Sequence, residues 1–382
     1  MAVISVIIGS MFLWSTLVVF AGLFVGLWRC RKTRAVNAPA SRDLRFACVI
    51  CAHNEEKVIS RPVLSLLDSD YPRDRFEVVV FADNCADRTA EIAKSFPGVK
   101  VYEKRTPSTG KGDVLAWGLD IIRHDGYDAI AVFDADNEID RRWLKVMNGR
   151  FAGGADVVTG HRMVSNPFVN LITGWYTIYW NLMNELSNRV RSNLGLSAML
   201  TGTGFAFRTE VLPEEGWRTV TFVEDLEFAI TVNFAGYRVE YASDAVFYDE
   251  QPVSIRPMVR QLNRWATGGL QILVRYPGRW LKALAAQPSF RVFDCFAVVT
   301  LGLSGCATLI FNLATMNWWF IPGFVVLGWT SAVLSTSLSR YAIRTLFWPV
   351  FTFPLFALVL SYTVAFSVFF PQRKWKPIAH GN

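Results

Sequence analysis

Charge is absent from three long stretches of this sequence. Residues 1–28 contain no Asp, Glu, Lys, Arg or His, and neither do 295–339 or 345–371. Uncharged apolar runs beyond about 18 residues read as membrane spans, so a purely cytoplasmic globular chain is not expected. Metal-binding thiols and imidazoles are also scarce, with 6 Cys and 4 His in 382 residues. Cys48 and Cys51 make one CxxC within a run, 46–52, that reads as a strand. An offset of three on a strand points the two thiols to opposite faces, so they cannot chelate one ion. No second CxxC and no HxxxH follows, which excludes a zinc site. No basic stripe with interleaved aromatics marks a soluble face, which excludes a nucleic-acid partner. The net charge of +7 sits largely beside the apolar runs, where it serves topology and contact with anionic lipid. Aromatic residues, at 14%, exclude a disordered or collagen-like chain.

The apolar runs predict four spans. Residues 1–28 are followed at once by Arg29, Arg31, Lys32 and Arg34, the order of an uncleaved anchor whose C-terminal side is cytoplasmic. The 295–339 run fits two helices turning near 317–322, with Arg340 and Arg344 in a cytoplasmic turn and a fourth span over 346–370. Four spans put the tail outside, whereas Arg373, Lys374 and Lys376 argue for inside. A re-entrant segment broken at Pro349 and Pro354 would return the tail to the cytoplasm. The expected domains are therefore an anchor at 1–28, a cytoplasmic α/β domain at 43–250, interfacial helices at 251–290 and three spans within 293–371.

Between the apolar runs the chain alternates short apolar segments with amphipathic ones. FACVICA (46–52), FEVVVFAD (76–83), VKVYE (99–103), AIAVFDAD (129–136) and ADVVTG (155–160) read as strands, and 87–96 and 114–123 as helices. Near-continuous Val, Ile and Phe mark strands buried on both faces, hence a doubly wound, mostly parallel sheet. Ligands bind such sheets at the carboxyl ends of the strands. Asp83 lies at one such end, and Asp134 and Asp136 at another. In extended backbone the last two project to the same side, a hard-oxygen pair suited to Mg²⁺ or Mn²⁺ shared with a substrate diphosphate. A lone DxD is common and also fits solvated or capping acids. Gly110-Lys111-Gly112 sits at a strand-to-helix turn, where backbone N–H groups and a lysine can receive phosphate. Glu224 and Asp225 open a helical stretch, a place where acids also serve as caps. Gln261, Arg264 and Trp265 share a helix that also reads as a basic interfacial segment. The aromatic stretch 166–188 reads as a core-packing helix or as one at the membrane surface.

Taken together, CAHNEE (51–56), Asp83, GKG (110–112), DAD (134–136), TGTGFAF (201–207), VED (223–225) and QLNRW (261–265) resemble the membrane-integral family 2 glycosyltransferases, the cellulose, hyaluronan and chitin-oligosaccharide synthases among them. The resemblance covers roughly 230 residues in the family's D, DxD, ED, QxxRW order. It implies a GT-A fold, a UDP-sugar donor, inversion at the anomeric carbon and a divalent cation, Mg²⁺ or Mn²⁺. It further implies that Asp83 contacts the uracil or ribose and that Lys111 lies near the nucleotide. Asp134 and Asp136 would hold the cation, with Asp136 the surer ligand. The Glu224–Asp225 pair would be catalytic, with Asp225 the general base. Gln261, Arg264 and Trp265 would close over the diphosphate and acceptor, and Gly202, Thr203 and Gly204 would border the acceptor. Val223 stands where the family often has Thr, and Asp113 follows GKG, where its charge must point away from a diphosphate. The acceptor implied by the resemblance would be a glycan growing into a β-linked polymer or oligosaccharide, or a membrane lipid glycosylated once, as in ceramide glucosyltransferases. Outside the enzymes, a transporter or scaffold is the competing class. The expected location is the plasma (inner) membrane with the catalytic domain cytoplasmic, in contact with membrane lipid. Oligomeric state is not legible.

Overall fold

The computed structural model describes residues 42–286, 290–300, 318, 320–341 and 343–372. The expected anchor at 1–28 and most of the first C-terminal span lie outside the described residues. The chain divides into two compact units: one holds 42–165 and Ala198–Glu250, the other Asn166–Ser197 and 251–372. The stretch 43–250 is thus interrupted by a segment that belongs with the C-terminal helices.

The first unit is built on an eight-stranded sheet of order β3-β2-β1-β4-β7-β6-β8-β5. Its strands are β1 (Phe46–Ala52), β2 (Phe76–Asp83), β3 (Val99–Lys104), β4 (Ala129–Asp134), β5 (Glu138–Ile139), β6 (Val157–Val164), β7 (Phe205–Arg208) and β8 (Val239–Asp249). Parallel pairing joins β3, β2, β1 and β4, and also β6 with β8. The short β7 runs antiparallel between β4 and β6, and β5 antiparallel to β8. The expectation of a mostly parallel sheet therefore holds for its first half only. The second half is mixed because β7 enters between β4 and β6 antiparallel to both, after the helical segment 166–197.

Strand alternation sorts the core. Phe46, Cys48 and Ile50 of β1 face one layer with Phe76, Val78 and Val80 of β2. Helices α1 (Ser60–Leu67) and α4 (Trp143–Ala152) cover that layer, through Val63 and Leu66 and through Trp143, Met147 and Phe151. Ala47 and Val49, with Cys51 packed against them, face the other layer under α3 (Lys111–Ile122) and α7 (Glu224–Phe234). The two cysteines of the CxxC thus sit on opposite faces, as the offset of three requires. α2 (Thr89–Lys94) precedes β3. Close approach of α3 to the sheet depends on Gly118, where a Cβ would lie 2.3 Å from the Phe81 ring.

The second unit is helical: α5 (Leu171–Asn181), a π-helical turn at Leu182–Asn188, α6 (Arg189–Asn193), α8 (Ile255–Arg275), α9 (Pro277–Ala286), α10 (Phe320–Leu338) and α11 (Phe347–Phe369). Ile321–Leu338 and Phe347–Phe369 are long and apolar enough to cross a membrane. Pro349 and Pro354 do not break the chain as a re-entrant segment would need. α11 runs through both: Pro349 stands in the first turn, where its missing N–H is no loss, and Pro354 lies in the interior, where the helix continues at the loss of one backbone bond. α5 packs on α11 through Gly174, whose Cβ would lie 2.3 Å from Pro349. Trp175 Nε1 donates to Thr352 Oγ1 at 3.0 Å.

Candidate active site

The acids predicted from sequence gather at the carboxyl ends of β1, β2 and β4, around the point where the strand order reverses between β1 and β4. Cys51, near the end of β1, is in register with Asp134. Burial pushes its thiol up to about 12, Lys111 opposes the rise, and Asp134, Glu224 and Asp83 add to it, so all four charges surround this strand end.

Asp83 ends β2 and is buried. Its carboxylate accepts from the Ser108 hydroxyl and from Asn84 Nδ2 (2.8 Å), and its carbonyl lies 2.6 Å from His53 Nδ1. Asn54 and Asn84 take positive φ beside it, 57° and 45°, a conformation that Asn tolerates better than most residues. Asp113 forms an ion pair with Lys104, whose Nζ lies 3.4 Å from its carboxylate.

β4 ends at Asp134, and Ala135 and Asp136 form a turn. The two carboxylates therefore converge through that turn and not through strand alternation. Lys111, the first residue of α3, donates to the Asp134 carboxylate and to Gly202 O at 2.7 Å. Burial disfavours the Lys111 ammonium, but Asp134 and Glu224 outweigh it and hold its pKa above the ordinary value. Lys111 is thus an acid-bound cation in this structure.

The Thr201–Gly204 loop is bound into the same cluster. Thr203 is fully buried, accepts from Asp134 N (2.9 Å) and donates to Asn137 Oδ1. Gly204, at φ 63°, donates to Val132 O (2.9 Å), and a Cβ there would lie 2.1 Å from the Phe247 ring. Thr203 and Gly204 hold the acids in place from within, whereas Gly202 turns at φ 90° with open space at its Cβ position.

Glu224 and Asp225 open α7, with Glu224 buried and Asp225 half-buried. Gly112 brings α3 against them: a Cβ there would lie 2.5 Å from Thr219 Oγ1 and 3.0 Å from Glu224 Cβ. Glu227 caps the preceding loop, accepting from Val220 N (2.9 Å) and Thr221 N (2.8 Å).

One acid escaped the motif reading. Asp249 ends β8, and ligand atoms of Asp134, Asp136 and Asp249 all lie within 4.8 Å of one another. Burial raises the Asp136 carboxyl well above its ordinary value, Asp249 and Asp134 add to that, and Arg162 opposes it. Three hard oxygen donors whose charges resist one another fit Mg²⁺ or Mn²⁺. A signal existed: the apolar run ending at Tyr248 closes on an acid, as FEVVVFAD does.

Gln261, Arg264 and Trp265 lie on α8, in the helical unit. Trp265 stacks on Tyr179 (5.9 Å, 19°), with Tyr176 at 6.4 Å and 87° and Trp180 at 5.7 Å and 74°. An acceptor sugar therefore has one indole face at most.

Residues 44–268 match the family described as glycosyltransferase like family 2. The chain belongs to that family. The chain is an enzyme, a glycosyltransferase. It is 28% identical over 299 residues to a probable glycosyltransferase, YdaM, of Bacillus subtilis, covering 74% of this chain and 70% of the relative. It is 28% identical over 240 residues to the beta-monoglucosyldiacylglycerol synthase of Synechocystis, covering 61% of this chain. The match spans about half, 49%, of that synthase's length. Among solved structures it resembles a mannosyltransferase from Pyrobaculum calidifontis in complex with GDP-Man and Mn²⁺, with TM-score 0.59 and 20% identity, over 94% of this chain and 99% of that one. The fold is accordingly a GT-A-like mixed α/β sheet with helices.

Proposed function

We propose that this glycosyltransferase moves a sugar from a UDP-sugar to a glycan acceptor with inversion, building a β-linked polysaccharide or oligosaccharide at a membrane. The observation that carries the reading is the meeting of Asp83, Lys111, Asp134, Asp136 and Glu224 at one end of the sheet. Asp83 binds the uridine, and Asp134 and Asp136 hold the cation, for which the mannosyltransferase with Mn²⁺ is a precedent of fold. A bound Mg²⁺ or Mn²⁺ neutralises charge on the leaving diphosphate. Asp225 takes the proton of the acceptor hydroxyl as its oxygen bonds the anomeric carbon. The bond to the diphosphate breaks on the opposite side and UDP leaves with the electron pair, so an α-linked donor gives a β-glycoside. Glu224, catalytic together with Asp225, also favours the charged form of Lys111 beside Asp134. Gln261, Arg264 and Trp265 enter on their motif alone, as contacts to diphosphate and acceptor, and Gly202 as the loop residue with room for an acceptor. The two apolar helices α10 and α11 support integral membrane placement, with the sheet unit on the cytoplasmic side of the inner membrane.

A second reading, single transfer to a membrane lipid, is favoured by the stacking of Tyr179 on Trp265. That contact leaves little ring surface for a growing sugar chain, and the Synechocystis synthase is named for a glycolipid product. Incubating the purified protein with a panel of UDP-sugars and Mg²⁺ or Mn²⁺ tests both. A mass ladder of repeating sugars supports polymer synthesis, a single lipid adduct supports the alternative, and absence of UDP release with every sugar defeats the donor assignment.

A further inference from the structure

Asp249 is more than one additional acid near the DxD. Arg162 on β6, buried with it, donates from Nε (3.1 Å) and Nη2 to Asp249 Oδ2, and from Nη1 to Thr201 O at 2.5 Å. Asn137 Nδ2 donates to the other oxygen, Oδ1, at 2.8 Å. The same Asn137 accepts through its amide oxygen from Asp134 N at 3.1 Å and from Thr203. One side chain thus orients both Asp134 and Asp249. Both guanidinium donors go to Oδ2, and Arg162 fixes the carboxylate plane.

Fold stability alone gives this arrangement little reason to exist. A buried ion pair is commonly no more stabilising than apolar residues of the same volume, and this one stands among two further carboxylates. A cation offsets that repulsion. Three oxygens no more than 4.8 Å apart lie within about 2.8 Å of a common centre, against a Mg²⁺–oxygen distance of about 2.1 Å, so each ligand needs to move in by less than about 1 Å.

We propose that Asp249 is a third carboxylate ligand of the divalent cation and that Arg162 is its positioning residue. The inference rests on the cation reading given above. It is tested by titrating Mn²⁺ into the full chain, with and without UDP, reading free Mn²⁺ by electron paramagnetic resonance and the melting temperature alongside. Two variants are compared with the natural chain, Asp249→Asn and the pair Asp249→Asn with Arg162→Gln. The pair removes one charge of each sign, which leaves net charge unchanged and strands no guanidinium. Both variants are expected to bind Mn²⁺ at least about tenfold more weakly and to lose the melting rise that Mn²⁺ gives. The metal-free melting temperature of the pair should stay within a few degrees. Unchanged Mn²⁺ affinity in the paired variant overturns the proposal and leaves the cation reading standing. Failure of both variants to fold, with or without Mn²⁺, assigns the ion pair to the fold and overturns it too. No Mn²⁺ binding by the natural chain defeats the cation reading itself.

Discussion

Asp225 and Gly204 show how differently two single residues of this site respond to change. Asp225→Asn keeps the shape of the first turn of α7 and removes only the proton acceptor. It should lower kcat by about 10²–10⁴-fold while UDP affinity, read by calorimetry, stays within a factor of a few. Undiminished turnover would take the general base away from Asp225. Gly204→Ala acts through the fold. Its positive φ and the Phe247 ring 2.1 Å from the added carbon leave no room, and a cost of about 2–4 kcal/mol is expected. The measured consequence is a lower denaturation midpoint together with weaker Mn²⁺ binding, since the same loop carries Thr203 to Asp134. A variant as stable as the parent would mean that β8 yields more readily than its burial suggests.

At the scale of elements, the contact between α3 and the sheet carries the GKG turn. Gly118→Val must displace the Phe81 ring, which lies 2.3 Å from even the first added carbon. Overpacking of this kind costs about 1–3 kcal/mol. Because Lys111 begins the same helix, UDP binding should weaken along with stability, whereas Gly154→Ala, with open space at its Cβ position, should leave UDP binding unchanged. Equal UDP affinity in Gly118→Val would separate the helix from the site. Elements also show where sequence is legible. β1 and β2 match their predicted limits to the residue because β-branched runs buried on both faces end in polar turns. β8 escaped because Ser243 and Asp244 interrupt its pattern, and with it went Asp249. β7 is four residues long, too short for alternation to register, so the antiparallel return beside β4 was invisible. Arg162 carried no signal: one arginine within VVTGHRMV gains meaning only when β8 pairs beside it. The site acids at Asp83 and Asp134 were legible because a strand end is itself a sequence feature, whereas the internal bonds of Thr203 belong to tertiary structure.

The molecule as a whole should respond to acid through the amino end of β2, the end of the strand opposite Asp83. Glu77 accepts from Arg45 and from Tyr127 Oη (2.6 Å), with Lys100 Nζ at 2.6 Å. Burial pushes its carboxyl up, but the bonds from Lys100, Tyr127 and Arg45 outweigh that and bring it down to about 2. A depressed carboxylate stabilises the fold fully above its unfolded value, near 4.5, and that contribution is lost as pH falls toward 2. Partial exposure screens the effect to about 1–2 kcal/mol. Glu77→Gln should therefore lower the unfolding free energy at pH 7 and flatten its slope between pH 4.5 and 2. An unchanged slope in urea titrations would mean that Glu77 is not the group lost.

The excursion of the chain from β6 into the helical unit and back to β7 bears on any attempt to work with less than the full length. A fragment ended at Glu250 retains every strand, yet it also retains the aromatic face of α5 after deleting Trp265 and Phe356, against which Tyr176 and Tyr179 lie. Such a fragment would expose tyrosine and tryptophan rings to water and self-associate. A sheet unit made without the C-terminal helices has to lose 166–197 as well, with a polar bridge long enough to run back along β6, since Ser165 donates to Asp249 O at one end of β8 and Ala198 to Val239 O at the other.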